Sequence, residues 1–209
     1  EMVLDVYERP YDPARPVVCL DERPGVLRTE VVEPLPAKPG APERRDYEYK
    51  REGTYNAFMM VEPLGGRRHV DIRARRCDED FAAQLIWLCE EGYPEAEEIT
   101  VVLDNLSTHR LETLWKVVEP ARAIELQRRL RLVFTPVHGS WLNMAELELS
   151  VMERQALNGD RLGSLQEVRA RIDPWQQERN EQGYGIDWGF GIQACRTKFK
   201  RFYKEQELM

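Results

Sequence analysis

Ile99-Thr100-Val101-Val102-Leu103-Asp104-Asn105 decides how the chain is read. Four β-branched residues and a leucine run together without helical spacing, which predicts a short buried strand. The strand ends on a carboxylate. A second run, Val17-Val18-Cys19-Leu20, has the same form and ends at Asp21-Glu22. In open α/β folds ligands bind beyond the ends of such strands, so Asp21 and Asp104 converge if the two strands are neighbours, although 83 positions separate them. Each alone is also ordinary turn or cap chemistry. Two converging carboxylates repel one another unless a cation bridges them, and oxygen ligands favour Mg²⁺. A third acid would complete a two-metal phosphoryl-transfer site.

Outward from these strands, Thr54 to Val61 and Arg68 to Ile72 read as two more, with Gly65-Gly66 turning between them. Asp78 can cap a helix reaching about Glu91, with Phe81, Leu85 and Leu88 along one stripe. A helix from about Leu111, a strand at Leu132-Val133-Phe134 and a helix from Asn143 to about Leu157 follow. Further helical stretches are expected near 165–179 and 191–206. The order β-β-β-α-β-α-β-α with a helical tail predicts an α/β fold, a mixed sheet with helices on its faces. Residues 23–46 carry Pro24, Pro34, Pro36, Pro39 and Pro42, which predicts an extended loop or arm without regular structure.

The third acid is ambiguous from helical geometry. Asn143-x-x-Glu146 has capping-box spacing, so Glu146 could simply close a helix start. Glu148, two residues on, points about 200° away around the helix and lies nearer the middle of the apolar arc of Met144, Leu147, Val151 and Met152. Both remain candidates on this ground.

The chain has 209 residues, 42% of them hydrophobic, enough for one domain with a real core. No apolar run approaches the roughly 18–20 residues that span a bilayer, which excludes a membrane-spanning helical protein. Cys19, Cys77, Cys89 and Cys195 are widely spaced, which predicts free thiols in a reducing cytoplasm. His69, His109 and His138 lack zinc-ligand spacing. The net charge of −7 argues against a nucleic-acid partner only as a total. By segment, eight acids and no Lys or Arg lie between Asp78 and Ile99. Residues 65–76 carry +4, while 121–136 and 191–209 carry +3 each. Such basic runs are usually solvated helix faces, but beside a phosphoryl-transfer site they are candidate phosphate contacts.

Three blocks carry a family resemblance. Cys19-Leu20-Asp21-Glu22, Val102-Leu103-Asp104-Asn105-Leu106-Ser107-Thr108-His109 and Thr135-Pro136-Val137-His138-Gly139-Ser140-Trp141-Leu142-Asn143-Met144-Ala145-Glu146 resemble the catalytic blocks of DDE transposases. The likeness is to the bacterial insertion-sequence branch of the mariner-like superfamily, and it runs from about Val17 to the C-terminus. It implies an RNase H-like fold with a mixed five-stranded sheet, two Mg²⁺ ions with Mn²⁺ as a substitute, and Asp21, Asp104 and Glu146 as the catalytic and metal-binding triad. On the resemblance, Glu146 is chosen over Glu148. It implies DNA hydrolysis and strand transfer at transposon ends and target, a homodimer in the active complex, and a cytoplasmic, nucleoid-associated setting in a bacterium. Asn105 and His109 match the second block as groups close to the acids or to DNA. His138 and Trp141 lie in the loop introducing the third acid and are candidate DNA contacts. The proline-rich 23–46 segment falls where mariner relatives carry an arm that clamps the partner subunit.

The expected division is an N-terminal extension at 1–16, a catalytic domain at 17–180 and a basic helical tail at 181–209. About sixteen residues before the first strand are too few for the helix-turn-helix modules with which relatives recognise transposon ends. The expectation is therefore a catalytic domain alone or a truncated product. Two other readings are a non-catalytic DNA-binding or assembly remnant and a stand-alone RNase H-like nuclease.

Overall fold

The computed structural model describes residues 2–200. Five strands form one sheet: β1 (Val17–Glu30), β2 (Tyr49–Glu62), β3 (Arg67–Arg73), β4 (Ile99–Leu103) and β5 (Leu130–Phe134), in the order β3-β2-β1-β4-β5. β1, β2 and β3 pair antiparallel, whereas β1, β4 and β5 run parallel, so the sheet is mixed as expected. Six α-helices accompany it: α1 (Met2–Tyr7), α2 (Asp78–Trp87), α3 (Pro120–Arg129), α4 (Ala145–Met152), α5 (Leu165–Gln182) and α6 (Ile192–Lys198).

The strand period of two divides the core. Cys19, Val61 and Val102 face one layer with α1, α4 and α5, where Val3, Leu4, Leu149, Val168 and Ile172 are buried. Leu20, Met60, Val101 and Leu103 face the other, against Phe81, Leu85, Ala123 and Leu126 of α2 and α3. β4 is buried along its whole length because helices cover both of its faces.

Four details depart from the sequence expectation. Residues 23–30 are not loop: they prolong β1, paired with Tyr49 to Ala57 of β2. The strand accommodates Pro24 because β4 pairs only with Val17 to Cys19, leaving the far edge of β1 without a strand partner beyond that point. Two isolated antiparallel bridges, Leu35 with Arg44 and Lys38 with Ala41, tie the remaining arm between β1 and β2 into a projecting loop. Asp78 does not cap α2. Cys77 is the N-cap, and its backbone N–H donates to the Asp80 carboxylate at 3.1 Å. The helix expected from Leu111 is two pieces, a 3₁₀ segment (Leu111–Lys116) and then α3, which starts afresh with Pro120 in its first turn. Residues 2–7, for which the sequence showed no element, form α1, with Val3, Leu4 and Val6 buried in the core. The expected end of the tail helix, residues 201–206, lies outside the described residues. Among the described residues no helix is long and apolar enough to cross a membrane.

Candidate active site

The β1–β4 register brings the first two acids together. Val17 lies opposite Thr100, Val18 opposite Val101 and Cys19 opposite Val102. Each pair is 83 positions apart, the same separation as Asp21 and Asp104. Both acids stand two residues beyond the last pair, Cys19 and Val102. They therefore stand at one level and on one face of the sheet, the face covered by α4, Asp21 within β1 and Asp104 just beyond β4.

α4 is fixed over this point by Asn143. Its fully buried side chain donates from Nδ2 to the Leu20 carbonyl at 2.8 Å and accepts the Ala145 N–H at 3.2 Å. The capping-box spacing thus has a different use: Met144 is the N-cap, and Asn143 ties the helix start to the strand residue preceding Asp21. Glu146 then stands half-buried beside Asp21. Glu148 is buried and committed elsewhere. Arg68 grips it in two-pronged fashion, Nε at 2.7 Å and Nη2 at 3.0 Å, and Arg179 Nη2 adds a contact at 3.2 Å.

The electrostatics of Asp21 record the crowding. Burial chiefly, then the charges of Glu22, Glu146 and Asp104, push its carboxyl up to about 7, against the opposing 2.8 Å bond from the Glu22 N–H. His109 supplies the compensating charge. Its Nδ1 lies 2.8 Å from the Asp104 carboxylate and its Nε2 3.2 Å from the buried Glu22 carboxylate. Burial works against the imidazolium, but Glu22 and Asp104 outweigh it and its pKa is raised. With both nitrogens facing carboxylates, the doubly protonated ring satisfies both.

The other sequence candidates divide. Asn105 donates from Nδ2 to the Thr135 carbonyl, and Thr135 N–H bonds Leu103 O at 2.9 Å, so Asn105 anchors the loop leading to α4. His138, exposed and left-handed at φ 62°, and Trp141 line a cavity of about 420 Å³ with Phe134 and Phe190, and none of the three acids is in its wall. Trp141 packs edge-on against Phe190 at 5.3 Å, with Lys198 Nζ 5.8 Å from its ring. Glu22 and Asn143 were not among the candidate site residues of the sequence reading, which took Asn143 only as a helix start and Glu22 only as part of the first block. The alternation of a strand was the available signal for Glu22: if Asp21 faces α4, the next acid must face the opposite core layer and needs a partner there.

Some of the arginines in the basic segments are engaged by the fold. Arg68 is buried on Glu148, Arg73 bonds Asp71 at 2.6 Å, and Arg67 stacks over Tyr93 at 5.1 Å. Arg129 donates to four carbonyls, those of Cys89, Tyr93, Pro94 and Ala96. Arg67, Arg68, Arg73 and Arg129 therefore have partners within the fold, whereas Arg75, Arg76, Arg128 and Arg131 are exposed.

Among the described residues no three His, Cys, Asp or Glu groups already stand close enough to hold a metal ion. The donor chemistry still suits a hard divalent cation, because Asp21, Asp104 and Glu146 offer only oxygen and repel one another without one.

A family model described as DDE superfamily endonuclease matches residues 16–169, most of the chain. The chain belongs to this family. Among solved structures, this DDE endonuclease chain resembles the Mos1 mariner paired end complex with Mn, at 17% identity and TM-score 0.52, over 87% of this chain and 55% of that one. It also matches the Mos1 Strand Transfer Complex at 14% identity and TM-score 0.49, over 87% and 53%. The first likeness supports the RNase H-like fold. The chain spans about half the length of the Mos1 chains it matches, and no curated protein matches it.

Proposed function

We propose that this DDE endonuclease chain is the catalytic domain of a DNA transposase of the bacterial insertion-sequence type, with Asp21, Asp104 and Glu146 as its catalytic, metal-binding triad. The observation that carries the reading is the shared separation of 83 between the β1–β4 pairs and the two aspartates, with α4 carrying Glu146 onto the same face. Two divalent ions held there, Mg²⁺ or Mn²⁺ in its place, would activate the attacking oxygen and stabilise the leaving one in phosphodiester hydrolysis and strand transfer. Asp21 is presented from within β1 and Asp104 from the end of neighbouring β4, and Glu146 closes the site from the helix. His109 holds Asp104 and balances its charge. The substrate is double-stranded DNA, transposon ends and target, and the active complex is a homodimer in which the 31–48 arm reaches the partner. Asn105, His138 and Trp141 are placed near DNA, and the division into 1–16, 17–180 and 181–209 belongs to the same proposal. So does a cytoplasmic, nucleoid-associated location.

Replacing Asp104 with Asn removes a charge while keeping shape. The expected result is loss of Mg²⁺- or Mn²⁺-dependent cleavage of a DNA duplex with an unchanged circular dichroism spectrum. Undiminished cleavage would sink the assignment. A second reading, a non-catalytic DNA-binding or assembly remnant, has one observation on its side: the acids do not yet stand at metal-holding spacing. Calorimetric titration with Mn²⁺ separates the two, since the remnant would show no binding that depends on the triad.

A further inference from the structure

Beyond Cys19 the second edge of β1 has no strand partner, and the segment after α4 lies against it, with the Arg28 N–H bonded to Leu162 O at 2.8 Å. Between them is a cleft of about 230 Å³ whose polar wall is formed by Arg23, Arg28, Tyr55, Glu153 and Asp160. Arg28 Nε is buried there without a hydrogen-bond partner. A buried guanidinium N–H left unmatched costs free energy unless an acceptor outside the chain takes its hydrogen bond, so it is itself a sign of a missing acceptor.

The charges around the cleft favour an anion. Glu153 is taken up by Arg23 at 2.8 Å, and Asp160 is shared by Arg171 at 2.7 Å and Arg45 at 3.6 Å. Arg45 also holds Glu43 at 2.5 Å, so with Arg28 four guanidiniums face three carboxylates, all three already paired, and Arg28 is left over. The position relates the cleft to the acids. Arg23 follows Asp21 by two residues, which puts it on the same face of the strand and about 7 Å along it. Arg23 is also the easiest to release, since its pair with Glu153 is 36% and 60% exposed and such pairs hold weakly.

We propose that this cleft is a phosphate site for the DNA backbone, with Arg28 taking one phosphate and Arg23, released from Glu153, taking another nearer Asp21. The inference rests on the proposed DNA substrate. It adds a contact track that the basic segments of the sequence did not indicate, because Arg23 and Arg28 lie outside all of them. Guanidinium forks suit phosphate oxygens, and such contacts position a duplex without reading its sequence.

The test is fluorescence anisotropy of a labelled duplex, without metal, across a salt series. The proteins are wild type, Arg23→Gln, Arg28→Gln, Arg28→Lys and, on the opposite layer, Arg122→Gln as a control. Arg23→Gln and Arg28→Gln should each bind severalfold more weakly at low salt. The slope of log K against log[salt] should become shallower by about 0.9 for each phosphate that the variant no longer engages. Arg28→Lys should keep most of the slope, because the charge remains, and Arg122→Gln should match wild type. Arg23 is partly exposed, so its variant reads out binding even if Arg28→Gln unfolds. Wild-type affinity and slope in Arg23→Gln, or in a folded Arg28→Gln, would overturn the two-phosphate site while leaving the DNA reading intact. Failure of the wild type itself to bind duplex would remove the DNA reading and the site with it.

Discussion

Asp21 is the residue at which the cost of the site is concentrated. Its carboxyl titrates near 4 in an unfolded chain and is pushed up to about 7 when folded, first by burial. Between those values the folded state binds the extra proton, so metal-free stability falls as pH rises from about 4 to about 7 and stays low above. The unfolding midpoint of metal-free protein should therefore drop between pH 5 and 8. Asp21→Asn should flatten that drop and gain about 1–3 kcal/mol at pH 8. An unchanged pH profile in the variant would show that Asp21 is not the strained group. Asn143 gives a second test at this scale. Asn143→Ala leaves the buried Leu20 carbonyl and Ala145 N–H without their partner and should cost about 1–3 kcal/mol in denaturant unfolding. Cleavage should fall by more than that loss of folding explains, because the link between α4 and β1 is gone. Cleavage at the wild-type level in folded Asn143→Ala would remove Asn143 from the positioning of Glu146.

At the scale of elements, two buried ion pairs join the sheet to its layers, and they do different things. Arg68 of β3 holds Glu148 of α4, and the same guanidinium donates to the Gly66 and Tyr184 carbonyls at 2.8 and 2.7 Å. Arg68→Met would leave Glu148 buried beside Arg179 alone, so a loss of about 3–5 kcal/mol is expected in chemical unfolding. His109 joins β1 to the turn after β4 through Glu22 and Asp104. His109→Gln should cost stability in the same way and also weaken Mn²⁺ binding by calorimetry, whereas Arg68→Met should lower stability with less effect on the metal. This contrast explains what could be read beforehand. The strands that carry Asp21 and Asp104 were legible from their buried apolar runs, and the end of β4 before Asp104 with them, whereas the end expected at Asp21 was not there, since β1 runs on to Glu30. The engagement of Glu148 was not legible, because the partner that pairs with it, Arg68, lies 80 positions away. The extension of β1 through Pro24 was hidden for a similar reason: proline is excluded only from a strand paired on both edges, and the missing second partner is a property of the sheet.

For the whole molecule, a net charge of −7 and a DNA substrate are compatible because charge acts where it is exposed. Arg68 is buried on Glu148, and Arg73 and Arg129 are partly engaged by Asp71 and by loop carbonyls, while Arg75, Arg76, Arg128 and Arg131 stay exposed. Three of the acids are proposed metal ligands, whose charge bound cations would cancel. The central claim is that Asp21, Asp104 and Glu146 form one cation site on the α4 face of the sheet. The most direct measurement is anomalous diffraction from crystals soaked in Mn²⁺. The account predicts a manganese peak among those three carboxylates, with Glu148 still paired to Arg68. A peak coordinated by Glu148, or none beside Asp21 and Asp104 at saturating Mn²⁺, would contradict it.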